Sequence, residues 1–135
     1  MHRIHVVVGM ATLFAAAALF AQSDSDYQGY MKTVFATNGS MQKNIAAKDA
    51  AAVAADANKL QDTFKQVEAF WQKRNADDAV GFAKQAQNVA ATVAADASAG
   101  NMDKAAADAK TIGAACGGCH MAHREKTDAG FKIKQ

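Results

Sequence analysis

Four stretches of the chain carry apolar or core-compatible residues at alternating steps of four and three, the spacing that puts them on one side of an α-helix. The first stripe is Tyr27, Met31, Val34, Asn38, Met41 and Ile45. The second is Val53, Ala57, Leu60, Phe64, Val67 and Trp71. The third runs Phe82, Ala86, Val89, Val93 and Ala97, and the fourth Ala105, Ala109, Ile112, Cys116, Cys119 and His123. Charged residues fall mostly between these positions. The stripes and their breaks predict helices over 24–47, 49–73, 76–99 and 101–126. Asp24 or Asp26 is placed to cap the first, because a short acidic side chain accepts the orphan N–H groups of a helix start. Asp49 stands where the first stripe gives way to the second, and Asn75 between the second and third. Gly100 suits a helix end and Asn101 the following start. Residues 127–135 read as a polar extension, packed by Phe131 at most.

Four helices of similar length joined by very short turns predict an all-α fold, an antiparallel up-down-up-down four-helix bundle with its chemistry in the last helix. Composition agrees. The 135 residues include no proline, the apolar content is dominated by alanine, and alanine is the strongest helix former as proline is the strongest breaker. The alanine runs at 50–57, 90–99 and 105–109 suit close helix contacts. No linker marks a second domain, so residues 22–135 read as one.

The first 21 residues follow another pattern. A short basic start, Met1–Arg3, precedes a stretch to Phe20 that is apolar apart from His5, Gly9 and Thr12 and carries no acid; the chain turns polar after Ala21. This is the form of a secretory signal peptide cleaved after Ala21, although Leu19 is large for its place in the cleavage site. An uncleaved anchor is the other reading; the run is short for a membrane span, which favours cleavage. Both put the domain outside the cytoplasm, and cleavage leaves no membrane segment. From Gln22 onward there are fourteen basic and thirteen acidic side chains. A net charge of +1 gives no footprint for nucleic acid or anionic lipid.

The candidate chemistry is one pentapeptide, Cys116-Gly117-Gly118-Cys119-His120, which holds both cysteines of the chain. Two thiols separated by two residues can add to the two vinyl groups on one edge of a porphyrin, and the adjacent histidine sets an imidazole under the iron. The pattern reads as c-type haem attachment. The chemistry needs export, which the leader independently supplies. A thioredoxin-type C-x-x-C belongs to a βαβ pattern, and no strands are visible. A structural zinc site needs four ligands; His123 can be a third, with no evident fourth. A plain disulfide leaves His120 unexplained.

In an up-down bundle the start of helix one and the end of helix four share a pole. His120 lies ~9 Å of helical rise from that end, and Met31 ~10 Å into helix one. The two fall in one layer, with Val67 and Phe82 on the other helices and Phe64, Phe70 and Trp71 close by. Met31 is therefore a candidate second axial ligand for iron, its thioether giving His/Met ligation suited to electron transfer, or else ordinary core or a cover over an open iron site. Met41 lies deeper and reads as core; Met102 and Met121 lie off the stripes. His123 can line the pocket rim or sit in solvent. Arg124 can pair with a haem propionate or simply favour the helix C-terminus. Tyr27 and Trp71 either pack on the cofactor edge or close the bundle end, and Asn38 is a polar residue on the inner stripe with no evident partner.

A haem motif near the end of a four-helix bundle, followed by Arg124, preceded by Gly100 and faced by Met31, resembles the cytochrome c′ family and its low-spin relatives. The resemblance covers about Asp24 to Arg124. It implies a periplasmic protein with one covalent haem c, often a homodimer, with His120 as the fifth ligand of the iron. The position of Met31 lies over the distal face, where a methionine ligates iron and an apolar residue leaves a five-coordinate site that binds NO or CO. Two features depart from the family. Many members carry an arginine where this chain has Tyr27, and the connection between helices two and three lacks the usual Pro- and Gly-rich loop, so propionate contacts, dimer contacts and pocket shape are not carried over.

The expected function is electron transfer between redox partner proteins in the periplasm. Cys116 and Cys119 anchor the haem, His120 and Met31 hold the iron, and Arg124 and Phe82 line the site. The alternative is a five-coordinate NO/CO-binding protein. No residue constellation demands substrate turnover, and the distal acid–base pair that a peroxidase needs is not visible, so no enzyme is expected.

Overall fold

The computed structural model describes residues 22–134, so the expected leader and its cleavage site lie outside the described residues. What is described is mostly helical: α1 (Asp24–Ala46), α2 (Ala50–Gln72), α3 (Asp77–Ser98), α4 (Met102–Ala109) and α5 (Ile112–His123), followed by β1 (Arg124–Thr127) and β2 (Gly130–Ile133).

The starts of α1 and α2 are set by side-chain acceptors. The cap of α1 is Ser23, one residue before Asp24 and three before Asp26. Its hydroxyl accepts from the Asp26 N–H, and the Asp26 carboxylate accepts from the Ser23 N–H at 2.7 Å, a reciprocal capping box. Asp49 caps α2 as expected, accepting from the Ala52 N–H at 3.0 Å. Asn101 precedes α4 without a side-chain cap bond. The chain leaves α1 and α2 through Lys48 and Asn75 in the left-handed region, with φ of 54° and 55°, and leaves α3 through Gly100 at φ 79°. Only Gly100 adopts that conformation without steric cost.

Helix α1 packs on α2, α2 on α3, and α3 on both α4 and α5. The α2–α3 seam is built from large residues against small ones. Leu60, Phe64, Val67, Phe70 and Trp71 are buried on α2, and Ala79, Ala83, Ala86, Ala90 and Ala97 on α3. Alanine lets two backbones approach while the bulky side chains of the partner fill the gap. This corrects the third stripe: Phe82 and Val89 are only half-buried, and the alanine line beside them turns fully inward. The second stripe is buried throughout; in the first Met31, Asn38 and Ile45, and in the fourth Cys116 and His123, are half-buried, and Thr37, Phe70 and Ala115 join the buried set.

Two expectations fail at the C-terminal end. The single helix over 101–126 is two helices, interrupted at Lys110–Thr111, and it stops at His123. The expected polar extension is an antiparallel hairpin with Arg124 opposite Ile133 and Lys126 opposite Phe131. The Lys134 N–H donates to the His123 carbonyl and ties the returning strand to the end of α5. Phe131-Lys132-Ile133-Lys134 alternates apolar and charged residues after the turn at Asp128–Ala129, a strand signal that a helix-only reading passes over. No described helix is long and apolar enough to cross a membrane.

Candidate cofactor site

Where α1 and α5 face each other, a cavity of about 600 Å³ separates them. Its α1 wall runs from Tyr27 to Asn38 and its α5 wall from Ile112 to His123. Each wall spans eleven residue steps, so the slot is ~16 Å long. The hairpin closes one side with Ala129, Phe131, Lys132 and Ile133, and Leu60 of α2 reaches it from behind.

Cys116, Cys119 and His120 all line this slot from the α5 side, and Met31 lines it from α1. A spacing of three places Cys116 and Cys119 on one face of α5, and His120 stands four residues after Cys116 on the same face. A second, small cavity of about 30 Å³ lies against the same four side chains and is backed by Phe64, Val67 and Phe82. Phe82 therefore borders the motif from α3 and is absent from the walls of the main slot. Its ring fills the space that a side chain at residue 118 would occupy: a Cβ built on Gly118 would overlap Phe82 Cε1 and come within 2.6 Å of Cζ. Gly117 has open space around it.

The electrostatics favour neutral, unreactive groups. The two cysteines are unbonded to each other. Burial raises the Cys116 thiol above its ordinary value. Burial, with the Asp78 carboxylate nearby, pushes Cys119 up to about 11. A thiol–disulfide oxidoreductase depresses its cysteine pKa, so this environment is the opposite of what that reading requires. Burial and then the Arg124 cation hold His120 below 6.5, which leaves a neutral imidazole able to donate a lone pair to a metal at neutral pH. Tyr27 is buried against Cys119, and burial raises its hydroxyl. Among the described residues, no group of three or more His, Cys, Asp or Glu is arranged to hold a metal ion by itself.

The flanking residues have defined places. His123 is on the slot wall, its Nε2 2.8 Å from Asp78 Oδ2 and its ring 4.7 Å from that of Trp71. That contact lowers the Asp78 pKa and gives His123 a carboxylate partner in place of the solvated role. Arg124 lines the slot with its guanidinium over the Phe131 ring at 4.1 Å. Tyr27 stacks on Phe70 at 4.5 Å and meets Trp71 edge-on; it lines the slot, whereas Trp71 closes the bundle behind it. Met41 is fully buried and Met121 exposed. Asn38, at the far end of the slot, has a buried Oδ1 with no hydrogen-bond partner. Residue spacing pointed to Cys116, Cys119, His120, Met31 and Arg124, and the fold brings all five to one slot. It missed Lys32 and Phe35, which lie off the inward stripe of α1, and the hairpin residues, because a wall made by a strand pair has no helical period to reveal it.

Comparison of the chain with family models, with curated proteins and with solved structures gave no match.

Proposed function

We propose that this chain is an exported c-type cytochrome with one covalent haem, built as an up-down-up-down antiparallel bundle and carrying electrons in the periplasm. The observation that carries the reading is the convergence of two thiols, a neutral imidazole and a thioether on one elongated slot. The residues present fit a large flat apolar group with charged edges. The slot walls are mainly apolar, and cations stand at its hairpin side.

Haem c supplies reversible one-electron chemistry when bound. Cys116 and Cys119 would hold it through thioethers. His120 would donate a ring nitrogen to the iron from α5 and Met31 its sulfur from α1, the ligand pair suited to a raised potential. Arg124 would face a propionate, since guanidinium matches a carboxylate fork. Phe82, pressed against Gly118, fixes the motif's helix from behind. Tyr27, Leu60 and Val34 exclude water and keep the local dielectric low, the protein's remaining lever on potential.

The test is the optical spectrum of the protein made with haem-attachment machinery, oxidised and reduced. A low-spin spectrum with a methionine–iron charge-transfer band is expected. Met31→Ala should keep covalent haem and change the spin state; an unchanged spectrum would refute Met31 ligation. A high-spin parent that binds CO without displacing a ligand would favour the gas-binding alternative. Cys116→Ser with Cys119→Ser should abolish covalent haem, and a parent protein without a Soret band would sink the cytochrome reading.

A further inference from the structure

The charged side chains on the slot are all cationic: Lys32 from α1, and Arg124 and Lys132 from the hairpin. Residues 124–135 carry four basic and two acidic side chains, whereas residues 22–123 carry ten basic and eleven acidic ones. The positive charge is thus concentrated at one edge of a molecule that is otherwise slightly negative.

Four of the acids near this edge are already committed, whereas Asp128 in the hairpin turn forms no ion pair within 4 Å among the described residues. Asp26 is held in the Ser23 capping box, Asp24 by Arg74, Asp78 by His123 and Glu125 by Lys132. Among the described residues, Lys32, Lys126, Lys134 and Arg124 form no ion pair within 4 Å. Between these cations lie two exposed aromatic rings, Phe35 at 84% and Phe131 at 54% exposure, one on each side of the slot. Phe35 is one turn from Lys32. Arg124, Lys126, Phe131 and Ile133 share one face of the hairpin, because alternate residues of a strand point the same way and paired residues share a face. Isolated exposed phenylalanines are ordinary. Two of them flanking the same cavity, ringed by unpaired cations, have the make-up of an interface with an apolar centre and a charged rim.

We propose that the mouth of the slot is the docking surface for an acidic electron-exchange partner protein, whose carboxylates meet Lys32 and Lys126 around an apolar patch that covers Phe35 and Phe131. The electron exchange rests on the function proposed above; the location of the docking surface does not. Opposite charge at the rim steers encounter and fixes orientation, while the small apolar centre permits rapid release.

The experiment has two arms. In the first, hexacyanochromate(III), a redox-inert paramagnetic anion, is titrated into the ¹⁵N-labelled protein as purified, in its reduced state. Amide broadening should centre on Lys32, Phe35 and residues 124–134; even broadening, or broadening centred on α2 or on Lys110, would overturn the proposal. In the second, the haem-loaded protein is oxidised by hexacyanoferrate(III) and by tris(phenanthroline)cobalt(III) at low ionic strength. Lys32→Glu with Lys126→Glu should slow the anionic oxidant about tenfold and speed the cationic one, and the milder Lys32→Gln with Lys126→Gln should move both rates in the same directions. Lys59→Glu, on α2 outside the slot, should leave both unchanged. Equal effects of Lys59→Glu and the rim variants, or none from the rim variants, would overturn it. A missing Soret band would remove the proposed function and leave the first arm to decide the docking surface.

Discussion

Gly117 and Gly118 sit side by side in one helix and differ in what surrounds them. Glycine costs a helix interior about 1 kcal/mol relative to alanine. At residue 117 nothing opposes a methyl group, so Gly117→Ala should stabilise the protein by up to about 1 kcal/mol in denaturant unfolding. At residue 118 the new methyl meets the Phe82 ring. Overpacking costs about 1–3 kcal/mol, which outweighs the propensity gain, so Gly118→Ala should be net destabilising by about 1 kcal/mol. Equal effects at the two sites would mean that Phe82 does not press on the motif. The two x positions of C-x-x-C look interchangeable in the sequence because the ring that separates them arrives from α3, more than thirty residues away.

At the level of elements, helix ends carry the testable energetics. Asp49→Ala removes the acceptor of the Ala52 N–H and should cost about 1 kcal/mol, read as a lower midpoint with unchanged m-value. Lys48 holds φ 54° at the turn between α1 and α2. A left-handed conformation costs an L-residue about 1–2 kcal/mol, part of which glycine returns as chain entropy, so Lys48→Gly should stabilise by roughly 0.5–1 kcal/mol. Asp26 gives the pH dependence. Its carboxyl is held below 3.8 by the Ser23 backbone N–H and then the Ser23 hydroxyl. The folded state therefore binds this proton less readily than the unfolded chain. The stabilisation is complete above the unfolded value and is lost as pH falls below 3.8 through the lowered folded value. Asp26→Asn should flatten that part of a plot of Tm against pH from 6 to 3; an identical acid limb would mean that the capping box does not form.

For the molecule as a whole, the slot is the main departure from close packing. α3 contacts both halves of the last helical segment, whereas α1 stands off α5 across a cavity of about 600 Å³. Protein interiors tolerate few voids, and a group that binds only the folded state stabilises it. Replacing Cys116 and Cys119 by serine should therefore lower Tm by on the order of 10 °C against the haem-loaded parent, a loss of about 2 kcal/mol. Unchanged Tm would mean that nothing large fills the slot. The hairpin belongs to this scale as well. It brings Phe131 and Lys132 to the cavity and gives Arg124 an aromatic ring to lie on.

What the sequence determined by itself is what local rules govern. Helical spacing located α1, α2 and α3 to within one residue at each end, because apolar periodicity and the cap at Asp49 are properties of adjacent residues. The pentapeptide at 116–120 identified the candidate chemistry because it is contiguous. Rise per residue was enough to bring Met31 to the layer of His120, since both sit on regular helices joined by short turns. Tertiary structure decided the rest. The choice between Phe82 and the alanines of α3 for the inward position depended on the bulk of α2 across the seam. The role of His123 depended on Asp78 and Trp71, which no spacing in its own helix reveals. The hairpin, and with it the cationic rim, depended on a chain reversal after His123 that lets Lys134 bond back to the end of α5. Each of these is a competition between groups far apart in the chain, and only the folded packing sets its outcome.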